Sequence, residues 1–137
     1  MAETLEFAVL YEYSLLETGI SVKTILRSGD LDVFVNAKID TGSTYCIFAR
    51  RYADGLGFDV ESGIPVDIGT ATGSFRAFGH TVEIEVLGIR FDSVVYFAES
   101  EYFDRNVLGR NGWLNKVKLA LVDEEGKLYL SKYIDSF

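Results

Sequence analysis

The run Leu31-Asp32-Val33-Phe34-Val35-Asn36-Ala37-Lys38-Ile39-Asp40-Thr41-Gly42-Ser43 decides how this chain is read. Nine residues of extended, β-favouring character end in an acid, and that acid sits inside a tight turn containing glycine. Placing a carboxylate at the end of a buried strand is costly unless partners compensate it. A side chain kept there at such a cost points to chemistry. Further along, Asn106-Val107-Leu108-Gly109-Arg110-Asn111 supplies a second signal. Two aliphatics followed by glycine allow a second strand to pass directly behind the turn that holds Asp40.

Working outward, composition limits what the chain can be. Its 137 residues make one domain with a modest core, and 48% apolar content excludes a disordered tail. Thirteen glycines against one proline, with abundant Val, Ile, Tyr and Phe, favour strands and turns over long helices. The longest apolar run falls short of the roughly 18 residues of a membrane span, so no membrane partner is expected. The start, Met1-Ala2-Glu3-Thr4-Leu5-Glu6, is acidic where a signal peptide would be basic. Cys46 is the only cysteine, which forbids an intrachain disulfide and fits a reducing, cytoplasmic setting. A formal net charge of -8 argues against nucleic acid as the main partner.

The hydrophobic pattern divides the chain into short elements. A first strand is expected within Leu5 to Ser14, then Ile20 to Arg27 and Leu31 to Ile39, joined at Ser28-Gly29-Asp30. Ile47 to Asp54 reads as a short helix stopped by Gly55 or Gly57. Pro65 to Gly69 and Phe75 to Phe78 flank the polar tip Thr70-Ala71-Thr72-Gly73-Ser74, the pattern of a hairpin over about residues 65 to 78. Thr81 to Val86 alternates apolar and acidic residues as a half-exposed strand does. Leu87-Gly88 turns it into Phe91 to Phe97, with Val94-Val95-Tyr96-Phe97 expected to be buried. Ala98 to Arg105 reads as an acidic loop and Asn111 to Asn115 as a short helix. A last hairpin joins Val117–Val122 to Lys127–Leu130 through Asp123-Glu124-Glu125-Gly126.

With Asp40-Thr41-Gly42-Ser43, the intervening hairpin and Val107-Leu108-Gly109 in place, the chain resembles the retropepsin-like aspartic proteases, the single-lobe relatives of pepsin. The resemblance covers roughly residues 20 to 131 and its combined motifs are specific. It implies an all-β fold: a closed acid-protease barrel lobe of six or seven strands with one or two short helices. It also implies an aspartic endopeptidase needing two carboxylates, of which this chain supplies one. The second would come from another copy in a two-fold homodimer, bringing two Asp40 residues together. By the same resemblance, Thr41 would hold the two turns together across the axis. Gly42 would admit the substrate backbone and Ser43 would hydrogen-bond the carboxylate. Thr72, Gly73 and Ser74 would form the tip of a flap closing over an extended peptide or protein substrate, and Val107, Leu108 and Gly109 would pack behind the active site. No cofactor and no metal is implied.

The chain departs from the retroviral pattern in three places. Thr44-Tyr45 stands where those enzymes often carry an acid paired with the arginine after the aliphatic-aliphatic-Gly element, which leaves the role of Arg110 open. The flap has fewer glycines and no tyrosine. The end of the chain, residues 132–137, is longer than the viral terminal strand and is expected to add a strand at the dimer interface.

Plainer readings stand beside these. Asp40 can also serve as an Asx-turn residue satisfying local N–H groups. Asp67-Ile68-Gly69-Thr70 imitates the motif at the base of the hairpin and reads as a strand end before a turn. His80 is a lone histidine at a strand start, a structural position, and no His/Cys cluster suggests a metal. Cys46 reads as a small buried hydrophobe, without the context of a nucleophile. Trp113 and Tyr102-Phe103 either line a groove or fill the core. Set against the protease is a second function class: the same fold as a peptide-binding or assembly module with weak or absent catalysis.

Overall fold

A computed structural model describes residues 1–133. Ten strands and one short helix follow one another as β1 (Val9–Glu12), β2 (Ser21–Ser28), β3 (Leu31–Ile39), β4 (Ile47–Phe48), α1 (Arg50–Gly55), β5 (Ile64–Thr70), β6 (Gly73–Val86), β7 (Ile89–Ala98), β8 (Val107–Leu108), β9 (Val117–Val122) and β10 (Lys127–Lys132). The chain is therefore all-β in its main architecture, as expected.

Six strands close on themselves in the order β2-β3-β8-β4-β7-β6 and back to β2. The closing seam pairs Thr24 with Val86 and Arg27 with Glu83, antiparallel. Arg27 bridges Glu83 and Glu85 across that seam at 3.0 and 2.8 Å. Closure removes the open edges that a flat sheet would leave. Alternation then sends one face of each strand inward: Leu26 from β2, Ala37 from β3, Ile84 and Val86 from β6, and Val95 and Phe97 from β7 are fully buried. Apart from Ala37, each of these side chains contributes about 1.5–3 kcal/mol of burial. Thr24 is equally buried but donates its hydroxyl to the Val22 carbonyl at 3.3 Å.

β5 pairs only with β6, from Ile64↔Gly79 to Thr70↔Gly73. Among the described residues β5 is the only strand that pairs with residues 73–76 of β6, so this end of the hairpin extends beyond the barrel. Pro65, the only proline, lies on β5, where no second neighbour needs its missing N–H. A separate antiparallel sheet, β1-β10-β9, packs Leu128 and Leu130 into the core. The edges of β10 are occupied by β1 and β9. Lys132 ends β10 opposite Val117, and the Tyr133 N–H donates to the Lys116 carbonyl at 3.1 Å. The rest of the segment assigned to a dimer interface, residues 134–137, lies outside the described residues.

Four expectations need correction. Ile47 and Phe48 do not open the helix: they form β4, which pairs with both β7 and β8, and α1 begins at Arg50. Gly57, with φ +75°, ends that helix. The hairpin's return arm and the Thr81–Val86 strand are one element, β6, because Gly79 continues the strand beneath the Tyr96 ring. A Cβ at Gly79 would meet that ring at 2.8 Å. Val94 to Phe97 is not buried throughout: Val95 and Phe97 face the core while Val94 is exposed. Asn111 to Asn115 is a loop leading to a single 3-10 turn, Leu114–Lys116, since Gly112 takes φ +108° and breaks any helix.

Candidate active site

Asp40 follows the last residue of β3, and its position is fixed by backbone on both sides. Lys38↔Val107 and Ile39↔Leu108 pair β3 in parallel with β8. The Asp40 N–H then donates to the Leu108 carbonyl at 3.0 Å. The turn closes when the Ser43 N–H donates to the Asp40 carbonyl at 3.1 Å. Asp40 Oδ1 accepts the Gly42 N–H at 2.9 Å. That bond is the Asx-turn of the plainer reading, and it occupies only one oxygen; Oδ2 has no hydrogen bond among the described residues. The carboxylate is half-buried.

Behind the turn, the second segment passes as closely as backbone allows. The Arg110 N–H donates to the Ser43 carbonyl and the Asn111 N–H to the Thr44 carbonyl, each at 2.9 Å. A Cβ on Gly109 would lie 2.2 Å from the Tyr45 carbonyl oxygen, so only glycine permits this approach. Val107 and Leu108 are buried beneath. Asn106 ties the crossing to α1 by accepting the Ala49 N–H on its side-chain oxygen at 2.9 Å.

Around the turn, Thr41 and Gly42 are exposed and Ser43 is half-buried. The Ser43 hydroxyl donates to the Tyr45 carbonyl at 2.8 Å and so braces the turn. The Arg110 side chain is exposed and has no ion-pair partner among the described residues. The Tyr45 ring packs at a tilt of 59° against Tyr96, with centroids 4.8 Å apart.

Asp40 opens onto a cleft of about 260 Å³. Its floor is Asp40, Ser43, Ile47 and Val107; Ile68 to Ala71 and Phe75 roof it from the β5–β6 hairpin; Phe103 and Arg105 close one side. Among the described residues Asp40 is the only carboxylate in that lining. Thr72 occupies the hairpin turn, with Gly73 and Ser74 on β6; all three are exposed and none lines the cleft. Gly73 has φ +148°, a conformation that other residues rarely adopt. Asp67 pairs across the hairpin with Arg76 at 3.1 Å, away from the cleft lining. A larger hollow of about 380 Å³, between β7 and the segment 111–116, includes neither Asp40 nor the hairpin.

The loop from Glu99 to Asn106 carries one wall of the cleft and is pinned along its length. The Glu99 N–H donates to the Arg76 carbonyl at 2.9 Å. Arg50 donates to the Glu99 carbonyl at 3.0 Å while holding both Glu61 oxygens at 2.6 and 2.8 Å, which keeps the Glu61 carboxyl below its usual pKa. Phe103 stacks on Phe75 with centroids 4.7 Å apart. Phe103, read from the sequence as lining a groove or filling the core, lines the cleft, whereas Phe75 and Arg105 were not foreseen as cleft residues. For Arg105 the signal was its spacing: two residues before Val107 in extended chain, it faces the same side.

The remaining candidates are structural. Trp113 is buried in the core and Tyr102 is almost fully exposed. His80 bonds the Val60 carbonyl through Nε2 at 2.9 Å and stacks on Phe58 at 4.6 Å. Cys46 is buried, and burial pushes its thiol pKa up to about 12, which denies it the thiolate a nucleophile needs. Among the described residues no three His, Cys, Asp or Glu side chains gather as a metal site would require. No helix among them is long and apolar enough to cross a membrane.

Comparison with known proteins agrees with this geometry. A family model described as "Aspartyl protease" matches residues 24–111. A retropepsin-like aspartic protease from Rickettsia conorii superposes with a TM-score of 0.66 at 18% identity, over 90% of this chain and 97% of its own. EIAV protease, solved in complex with the inhibitor HBY-793, superposes with a TM-score of 0.55 at 20% identity, over 71% of this chain and 86% of its own. No curated protein matches the sequence.

Proposed function

This chain belongs to the aspartyl protease family, and from that premise we propose that it is an aspartic endopeptidase acting as a homodimer with one Asp40 from each copy. The observation that carries the reading is the cleft itself. Among the described residues it holds a single carboxylate, backbone-positioned and with one oxygen free of hydrogen bonds, under a hairpin that reaches beyond the barrel. One carboxylate cannot both accept a proton from water and donate one to a carbonyl. A two-fold axis near the exposed Thr41-Gly42 would supply the second.

In such a pair the two carboxyl groups, about 3 Å apart, share one proton because both cannot ionise together. The pair then titrates as a unit. The ionised member takes a proton from water as the water oxygen bonds to the scissile carbonyl carbon. The protonated member gives its proton to the carbonyl oxygen, producing a tetrahedral diol. Collapse returns that oxygen to a carbonyl, delivers a proton to the leaving nitrogen and breaks the C–N bond, leaving acid and amine products.

Thr41 would bridge the two turns, while Gly42 would receive the substrate backbone. Ser43, bonded to the Tyr45 carbonyl, would stiffen the turn. Thr72, Gly73 and Ser74 would close over the peptide and exclude water, and Val107, Leu108 and Gly109 would hold the floor. The whole would act as one domain, in the cytoplasm.

Cleavage of a broad peptide library by wild type and Asp40→Asn, between about pH 4 and 8 with sedimentation in parallel, tests the reading. We expect wild-type cuts that vanish in the variant while both proteins remain dimers. Cuts that persist in Asp40→Asn, or a folded dimer that binds peptides without cutting them, would replace the protease with another mechanism or a binding module.

A further inference from the structure

We infer that Arg105 selects substrates carrying an acidic side chain beside the scissile bond. The inference rests on the reading above, in which a peptide lies in the cleft at Asp40, and adds to it what that peptide must look like.

Among the described residues only two charged side chains line the cleft, Asp40 and Arg105. The neighbouring cations are already neutralised: Arg50 by Glu61, Arg51 by Asp104 and Arg76 by Asp67. Arg105 has no carboxylate partner among the described residues, not even the adjacent Asp104, which is held by Arg51 at 2.8 Å. A chain of net charge -8 thus leaves one uncompensated guanidinium on the wall of its functional cleft. Asn106, next in sequence, is fixed by its bond to the Ala49 N–H, so the backbone that presents Arg105 is anchored.

The rest of the lining defines the shape of the matching group. Ile47, Ile68, Val107, Phe75 and Phe103 are apolar and accept methylene or aromatic surface. An apolar wall ending in a planar, five-donor cation fits a side chain with an apolar stem and a carboxylate end, which is glutamate before aspartate. Closing the hairpin would exclude water and strengthen the pairing relative to an exposed ion pair. In a two-fold dimer each copy contributes one Arg105, so acids should be enriched at symmetry-related positions on both sides of the cut.

The test compares peptides that differ only by Glu or Gln at single positions near the cleavage site, at about pH 6, where glutamate is ionised. Wild type should favour Glu by about tenfold in kcat/KM at one position or its symmetry mate, equivalent to about 1.4 kcal/mol. That ratio should shrink as salt is raised. Arg105→Gln should bring it near one, and Arg105→Glu should turn the preference toward Lys. Peptide binding to Asp40→Asn, read by fluorescence anisotropy, should show the same Glu preference without turnover. Cuts that depend on Asp40 but ignore Glu against Gln would overturn this inference and leave the protease standing. Glu-selective binding that needs Arg105, without any cutting by wild type, would do the reverse. A ratio unchanged in Arg105→Gln, or no peptide binding at all, would overturn it.

Discussion

Cys46 sits at the tightest point of the molecule, where the Gly109 segment crosses behind the Asp40 turn. Its Sγ accepts the Gly109 N–H at 3.4 Å and lies 3.6 Å from the Asn111 carbonyl. Burial raises its pKa to about 12, against the smaller opposing effect of the bond to Gly109. In the unfolded chain the thiol titrates near 8.5. A group whose folded pKa is raised gives its full stabilisation below the unfolded pKa and loses it as pH climbs through the folded one. Stability should therefore fall by up to about 1.4 kcal/mol per pH unit above about pH 8.5. Urea unfolding of wild type and Cys46→Ala at several pH values measures this. The wild-type slope should be the steeper; equal slopes would mean that the thiol ionises as easily folded as unfolded. At this scale the sequence is most legible where a backbone constraint admits one residue type. Gly109 could be read because a close crossing requires it, and Asp40 because an acid ends a β-run. Arg105 was hidden because its spacing from Val107 tells which side it faces only once Val107 is known to lie in the cleft.

Among the elements, the β5–β6 hairpin matters most, because it is anchored at one end only. Cross-strand pairing holds its two arms together, but past Ala77 β6 loses β7 as a neighbour. The stack of Phe75 on Phe103, with the Glu99 N–H bond to the Arg76 carbonyl, ties this outer part to the pinned Glu99–Asn106 loop. Such an aromatic pair is worth about 0.5–1.5 kcal/mol. Phe103→Ala should accordingly leave the barrel intact, shifting Tm by no more than about 5 °C, while loosening the hairpin. Amide exchange at residues 70–75 should accelerate with β2, β3 and β7 unchanged, and peptide cleavage should show a several-fold higher KM. Equal exchange in both proteins would show that the hairpin is held without this stack, by its own pairing and the Glu99–Arg76 backbone bond. The hairpin was readable from its polar tip between apolar arms. β4 was not, since two residues carry no periodicity and exist as a strand only by pairing with β7 and β8, distant in sequence. The continuity of β6 was obscured by Gly79-His80, which looks like a break until Tyr96 is seen to lie over it.

For the whole molecule, the deciding matter is whether one barrel can work alone. Local patterns showed most of the strands, but not that β2 and β6 would meet to close them, since that seam joins segments far apart in the chain. The same limit applies to assembly. Among the described residues the unpaired edges of the small sheet belong to β1 and β9, and β10 is already covered along Lys127–Leu130, so a partner strand adding there would meet an outer edge. Two copies each carrying -8 also repel, and added salt should favour their association. Subunit mixing separates the possibilities. If each active unit needs two Asp40 carboxylates, Asp40→Asn chains exchanged into the wild-type population form mixed pairs that cannot share a proton. After complete exchange at equal amounts, about a quarter of the dimers are wild type on both sides, so activity per wild-type chain falls to about half. A larger excess of variant should suppress it further, in proportion to the wild-type fraction. A monomeric enzyme would show no such suppression, and its second carboxylate would have to be sought within the same chain.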